Sequence, residues 1–167
     1  CYISYFLTPA TVCLAIPLYK QLELLKKNFI AVILSITAGV AGSVLSVFLM
    51  SMLFRLEHVH YVSLLPKSIT TAIGMGVSEE AGGIVTLTVV SIIITGILGN
   101  IAADAWFKLV GIKHPIAKGL AMGTAAHAIG TAKALEMGEV EGAMSSLSIA
   151  VAGLMTVVAA PLMAGLI

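Results

Sequence analysis

The sequence is poor in charged and aromatic side chains. Asp, Glu, Lys and Arg make up 10% of the 167 residues, and Phe, Trp and Tyr make up 6%. A soluble domain usually has roughly 25% charged residues. The net charge is +1 and there is no basic block, so the composition excludes a nucleic-acid partner. The chain lacks the polar surface of a soluble globular protein.

Cysteine and short catalytic motifs are also scarce. Cys1 and Cys13 fall in one apolar segment, where they imply neither a disulfide framework nor a metal site. The sequence contains no G-x-S-x-G nucleophile elbow and no H-E-x-x-H zinc motif. We therefore expect no enzyme activity, no bound metal and no cofactor.

Long apolar runs dominate what is present. Hydrophobic residues make up 59% of the chain, and the mean hydropathy is +1.09. A membrane-spanning helix needs roughly 20 apolar residues. Three windows without any charge meet this requirement, at 29–54, 82–103 and 142–167. They predict an all-α integral membrane protein that crosses the lipid bilayer several times.

Prolines interrupt the apolar pattern at defined places. Pro9 and Pro17 break the first apolar segment, because each removes a backbone donor from a helix. Pro66 is the first residue of a second interruption, at 66–76. We predict a half-helix that begins at Pro66 and a break at Gly74. The fold expected is a helical bundle with broken or re-entrant helices.

An ungapped shift of 57 residues aligns the sequence with itself. It places Pro9 on Pro66 and Gly42 on Gly99. We interpret this match as a duplicated unit of one broken segment plus one span, within a single membrane domain of residues 1–167. The predicted units cover about 9–54 and 66–111, with a degenerate third unit at about 119–167.

Lysine placement predicts the orientation. The loops around Lys26 and Lys113 are both basic, and basic loops are usually cytoplasmic. Segment 104–118 is predicted to be an interfacial helix, and segment 55–66 a polar connection. Both basic loops share one side only if the interruption at Pro66 enters and leaves the membrane on the same face, which makes the repeat inverted. Inverted repeats with broken helices are typical of secondary carriers.

Four residues that follow Pro66 form a candidate anion site. Lys67 provides a positive charge, and Ser68, Thr70 and Thr71 provide hydroxyl groups beside the expected half-helix start. Backbone N–H groups at such a start favour an anion. The alternative is that Lys67 extends to the lipid headgroups while the hydroxyls bond to their own helix.

Glu79 and Glu80 are candidates for proton coupling. A carboxylate at membrane depth is costly in its charged form, so one of them could exchange a proton during transport. The alternative is structural: Ser78 caps the next span, and the two glutamates lie favourably in its first turn.

A third polar stretch contains Thr124, His127 and Thr131. Their spacing places them on one face of a helix, opposite the candidate anion site. We predict that this face contributes to the binding of a small carboxylate. The alternative is that His127 is a hydrogen-bonded structural residue.

Three stretches resemble the LrgB/CidB family of bacterial antiholin-like membrane proteins. They are LLPKSITTAIGMGVSEEAGGI, GIKHPIAKGLAMGTAAHAIGTAKALEMGEVEGAMSSL and TPATVCLAIPLYKQ. The family's PKS-[VI]-TT pattern falls on residues 66–71 and its H-A-[IL]-G pattern on 127–130. Ala72 and Ala126 depart from it, since many members have proline and serine or glycine there. Members usually have further N-terminal spans, which we expect to be missing from this sequence.

The resemblance implies two functions. One is transport of small monocarboxylates such as pyruvate, glycolate or glycerate, as in the similar C-terminal half of the plastid glycolate/glycerate translocator. The other is an antiholin-like scaffold or pore that modulates murein hydrolase activity and cell lysis. It also implies the bacterial cytoplasmic (inner) membrane and a small LrgA/CidA-type partner. The glycine-lined faces add the expectation of a homodimer.

Overall fold

The computed structural model describes Ile16 and residues 19–167, and in this part of the chain all regular structure is helical. The interruption predicted at Pro9 and Pro17 lies outside the described residues. The helices are α1 (Leu22–Lys27), α2 (Phe29–Phe54), α3 (His58–Leu64), α4 (Thr71–Glu80), α5 (Val85–Val110), α6 (Pro115–Met137) and α7 (Glu139–Ala164). The prediction of an all-α membrane protein is confirmed.

Three of these helices, α2, α5 and α7, are long and apolar enough to cross a membrane. Each has 26 residues, which corresponds to a length of roughly 39 Å at 1.5 Å per residue. The hydrocarbon core of a bilayer is about 30 Å thick. The three predicted windows fall on these helices, although α5 continues to Val110 and α7 begins at Glu139.

The predicted interfacial helix at 104–118 is wrong. Residues 104–110 are the end of α5, which stops at Gly111 in the left-handed conformation with φ of 75°. Pro115 then starts α6 at a position where its missing N–H costs nothing. A glycine that ends one helix and a proline that starts the next divide the segment between the spanning helix α5 and a separate helix, α6.

Residues 58–80 fold back on themselves. Ser63 in α3 and Ser78 in α4 both contact Thr88, whose hydroxyl lies 2.8 Å from the Ser63 carbonyl oxygen and 2.7 Å from Ser78 Oγ. The two serines are fifteen positions apart, a separation of roughly 22 Å in a straight helix. The chain must therefore reverse between α3 and α4, and we call residues 58–80 hairpin 1.

Hairpin 1 corrects three details of the sequence prediction. The polar connection expected at 55–66 is partly helical, because Tyr61 and its neighbours are buried in the core. The half-helix begins at Thr71 rather than at Pro66, which lies in the turn of residues 65–68. Gly74 is not a break: it is a buried helical residue of α4, and a Cβ atom in its place would lie 3.5 Å from the Pro66 carbonyl oxygen.

Helix α6 also folds back, at His127. The backbone there has φ of 43° and ψ of −134°, which is not helical. Met122 and Ala134, on either side of the break, belong to one buried cluster with Ala103 and Phe107 of α5. A straight helix would separate Met122 from Ala134 by roughly 18 Å. The two halves therefore lie side by side along α5, and we call residues 115–137 hairpin 2.

The two hairpins start from opposite ends of the bundle. Tyr61 of hairpin 1 donates a hydrogen bond of 2.8 Å to the carbonyl of Met163, at the end of α7. Gly119 of hairpin 2 packs against the backbone of Glu141, at the start of α7. Each hairpin enters and leaves at its own end, so that α2 and α7 cross in one direction and α5 crosses in the other. The sequence repeat itself stays a prediction.

Candidate functional site

A cleft of about 600 Å³ lies where the turn of hairpin 1 meets α2, α5 and the first half of hairpin 2. Small and hydroxyl-bearing residues form much of its wall. They include Gly42 and Ser43 of α2, Thr95 of α5 and Thr124 of hairpin 2, with Lys67 and Ser68 from hairpin 1. Because the helices carry small side chains on the faces that line the cleft, there is room for a small molecule between them.

Lys67 lies deep in the bundle and contacts hydroxyl groups. Its ammonium nitrogen donates to Ser68 Oγ at 3.2 Å and to Ser43 Oγ at 3.4 Å. Ser43 is the fifteenth of the 26 residues of α2, so it lies roughly 21 Å along a helix roughly 39 Å long. Lys67 therefore approaches α2 near its middle rather than at either end.

None of the acidic side chains that the structure describes forms a salt bridge with Lys67. The ion pairs found there are His60 with Glu57, and Lys133 with Asp104 and Glu136. An ammonium group inside a membrane protein is expensive without a counter-charge. The neutral hydroxyls of Ser43 and Ser68 offset only part of that cost, and the cleft beside them is open to an anion.

Thr124 contributes a second polar group to the cleft. Its side chain is 6% exposed, and within the described part of the chain its hydroxyl oxygen has no hydrogen-bond partner. Besides the cleft, Thr124 lines a small adjoining cavity of about 10 Å³ together with Ser68. A buried hydroxyl without a partner is costly, so this position favours a ligand atom or a water molecule that can bond to it.

His127 and Thr131 do not line the cleft. The break at His127 separates them from the helical face predicted with Thr124, so that prediction is wrong. The His127 Nε2 atom hydrogen bonds to the carbonyl of Ile92 at 2.9 Å. The Thr131 hydroxyl lies 3.0 Å from the His127 carbonyl and 2.7 Å from Ser145 Oγ. Both side chains join hairpin 2 to its neighbours, as in the structural alternative.

Thr70 and Thr71 also lie outside the cleft lining. Thr70 occupies the N-cap position of α4, but its side chain makes no capping hydrogen bond, and Thr71 is the first helical residue. The candidate site predicted from the sequence is therefore divided. Lys67, Ser68 and Thr124 come together, whereas Thr70, Thr71, His127 and Thr131 do not join them.

Glu79 and Glu80 are exposed and end α4. The structural alternative, in which they lie in the first turn of the next span, is wrong, because α5 begins only at Val85. Ser78 does not cap α5 either, since Ile84 holds the N-cap position of that helix and the Ser78 hydroxyl lies 2.7 Å from Thr88 Oγ1. The two carboxylates lie at the end of hairpin 1 that is remote from its turn, and neither lines the cleft.

Ser43 is a residue of the Lys67 cluster that the sequence did not predict. It is one of several serines in an apolar helix, and it lies 24 positions before Lys67. No local pattern distinguishes it from Ser35 or Ser46.

Within the described residues, no group of three or more His, Cys, Asp or Glu side chains could hold a metal ion.

Comparison with known proteins gives a consistent picture along the whole chain. The model of the LrgB-like family matches residues 1–166. The chain is 44% identical over 160 residues to the antiholin-like protein LrgB of Bacillus cereus (strain B4264), and to that of Bacillus anthracis (strain A0248). Each alignment covers 96% of this chain and 70% of the relative. No solved structure matches.

Proposed function

The chain belongs to the LrgB-like family, and from this premise we propose that it is an antiholin-like membrane protein that modulates murein hydrolase activity and cell lysis. The observation behind this proposal is its identity of 44% to proteins with that name, over 96% of its own length. The bundle of three spans and two hairpins gives it a membrane-embedded body that could act through contacts with other membrane proteins. We place it in the bacterial cytoplasmic membrane.

A lysis assay tests this function. The full-length protein would be produced in a bacterial strain from which its own LrgB-type gene has been removed, and the rate of detergent-induced lysis and the murein hydrolase activity would be measured. We expect both to fall relative to cells with an empty vector. Unchanged lysis and unchanged hydrolase activity, with the protein present in the membrane, would contradict the proposal.

The cleft favours a second candidate function, the carriage of small monocarboxylates. The observation that supports it is Lys67, which lies near the middle of α2 and forms no salt bridge with the described acidic residues. A small carboxylate would supply the counter-charge, and the Ser68 and Thr124 hydroxyls line the same cleft. Two hairpins that enter from opposite ends are the kind of discontinuous element on which carriers build central sites.

Uptake into proteoliposomes tests the second function. Labelled pyruvate, glycolate and glycerate would be offered separately, and we expect saturable uptake of at least one of them. Lys67→Ala should weaken binding by several kcal/mol, because the ligand would lose its charge partner in a desolvated site. Absence of saturable flux for all three compounds would reject carriage.

Proton coupling through Glu79 or Glu80 stays a proposal within the second function. Both carboxylates are exposed at the end of hairpin 1, so they could exchange protons with the solution on that side. Glu80→Gln should preserve binding and flatten the pH dependence of uptake. An unchanged pH profile in both Glu79→Gln and Glu80→Gln variants would eliminate these residues from the coupling step.

Assembly is the last part of the proposal. We propose a homodimer, and a small LrgA/CidA-type membrane protein as a partner. The support is the wide apolar surface of the spans, including Leu53, Ile101 and Leu154, all at least 70% exposed. Mass measurement of the protein in mild detergent, alone and co-expressed with such a partner, would test both. A monomer under both conditions would contradict them.

A further inference from the structure

The hydrogen-bond donors around Lys67 outnumber the acceptors. An ammonium group has three N–H donors. Lys67 directs two of them to Ser68 Oγ at 3.2 Å and Ser43 Oγ at 3.4 Å. Ser43 in turn donates its hydroxyl hydrogen to Ser68 Oγ at 2.9 Å. One ammonium hydrogen and the Ser68 hydroxyl hydrogen thus have no acceptor among the described residues.

The two unused donors are neighbours on the wall of one cleft. The Lys67 nitrogen and the Ser68 oxygen are 3.2 Å apart, and both residues line the cleft of about 600 Å³. Ser68 is only 7% exposed, so bulk water has little access to its hydroxyl. A pair of donors at this spacing matches a carboxylate, which accepts two parallel hydrogen bonds through its two oxygens. A monoatomic anion such as chloride has a single acceptor atom, so it cannot accept the two hydrogen bonds through two separate atoms.

We propose that Ser43 is a positioning residue that sets the selectivity of the cleft for carboxylates over monoatomic anions. By donating to Ser68 Oγ, it fills the acceptor side of that oxygen and directs the Ser68 hydrogen away from α2 and into the cleft. Ser68 and Lys67 then present a two-donor fork to one carboxylate group. The inference rests on the second candidate function, since it concerns the ligand of the same cleft.

Loss of the Ser43 hydroxyl changes the fork in two ways. Lys67 loses the acceptor at 3.4 Å, so that among the described residues only Ser68 still accepts a hydrogen bond from its ammonium group. Ser68 loses the donor at 2.9 Å, so its own hydrogen can rotate toward other acceptors. The positive charge remains, and a monoatomic anion still finds it. A carboxylate loses its second, directed hydrogen bond.

Ser46 provides the matched control. It lies on the same helix, three residues further along, and lines the same cleft. Its hydroxyl donates to the carbonyl of Ser43 at 2.7 Å, within its own helix, and does not contact Lys67 or Ser68. Ser46→Ala therefore removes one hydroxyl from the cleft wall without disturbing the fork.

The experiment compares displacement of labelled pyruvate by unlabelled pyruvate and by chloride, with the full-length protein in liposomes. The measured quantity is the ratio of the chloride to the pyruvate concentration that displaces half of the label. We expect Ser43→Ala to lower this ratio about tenfold, the effect of one hydrogen bond to a charged group. Ser43→Thr, which keeps the hydroxyl, should restore most of the ratio, and Ser46→Ala, which removes a hydroxyl of the cleft wall outside the fork, should lower it much less than Ser43→Ala does.

Three results would overturn the inference or its premise. An unchanged ratio in Ser43→Ala, while Lys67→Met abolishes pyruvate binding, would overturn the role of Ser43 and leave carboxylate carriage intact. Equal loss of pyruvate and chloride displacement in Ser43→Ala would show a merely structural role. If the wild-type protein binds neither pyruvate, glycolate nor glycerate, the carboxylate function itself fails.

Discussion

Lys67 and Ser43 belong to one cluster, but only Lys67 could be predicted as a site residue from the sequence. Lys67 and Ser68 belong to a polar stretch between apolar runs, and the structure brings both to the cleft. Thr70 and Thr71 belong to the same stretch, but the turn before α4 directs them elsewhere. Ser43 is a serine within an apolar helix, and only the fold-back of hairpin 1 brings it to Lys67. Local composition predicts where polar groups interrupt the membrane, whereas their partners depend on tertiary contacts.

Two glycines of α2 give a matched test of packing around the cleft. A Cβ atom on Gly39 would lie 2.6 Å from Thr124 Cγ2, whereas one on Gly42 would meet nothing within 4 Å. Because the β-branched threonine can adjust little, we expect Gly39→Ala to lower the free energy of unfolding by about 1–3 kcal/mol. Gly42→Ala should have a smaller effect. Equilibrium unfolding in detergent would measure both, and equal effects would contradict the close contact of α2 with hairpin 2.

At the scale of elements, the sequence indicated hairpin 1 but not hairpin 2. Pro66 and the polar residues around it break the apolar pattern, so an interruption there could be predicted. The stretch around His127 consists of alanine, glycine, threonine and one isoleucine, and this composition is compatible with one continuous helix. Its reversal depends on contacts that are distant in sequence, such as the hydrogen bond from His127 to Ile92 and the close approach of Gly96. Periodicity alone cannot reveal such contacts.

The reversal at His127 predicts an order of stability among substitutions. The backbone there, with φ of 43° and ψ of −134°, is a conformation that glycine adopts more readily than other residues. His127→Ala and His127→Gly both lose the hydrogen bond to Ile92, but only glycine relieves the backbone strain. We expect the glycine variant to be more stable than the alanine variant by about 1 kcal/mol. Thermal unfolding in detergent would measure the difference, and a more stable alanine variant would argue for an unbroken α6.

At the scale of the whole molecule, the described bundle consists of three spanning helices and two hairpins. Hairpin 2 begins after the turn at 111–114, beside the start of α7, since Gly119 contacts Glu141, and it ends at Met137, directly before α7. Hairpin 1 begins after the turn at 55–57 and packs against the end of α7 through Tyr61. Neither hairpin crosses the bundle. Lys26 and Lys27, at the end of α1, and Lys113, in the turn before α6, therefore lie at one end of the bundle, as their charge predicted.

The membrane topology distinguishes a folded-back α6, as in hairpin 2, from a straight α6 that crosses the membrane once. A straight α6 of 23 residues would be roughly 35 Å long, enough to cross a bilayer, and would put Glu139 on the side opposite Lys113. The fold-back puts Glu139 on the same side as Lys113, with Arg55 on the other. Single cysteines at these three positions, in a variant with Cys1 and Cys13 replaced by serine, would be labelled in intact cells and in inverted vesicles with a membrane-impermeant maleimide. We expect Lys113→Cys and Glu139→Cys to react from one side and Arg55→Cys from the other. Because the label reports sidedness without any ligand, a Glu139→Cys variant that reacts together with Arg55→Cys would refute hairpin 2, whatever the cleft binds.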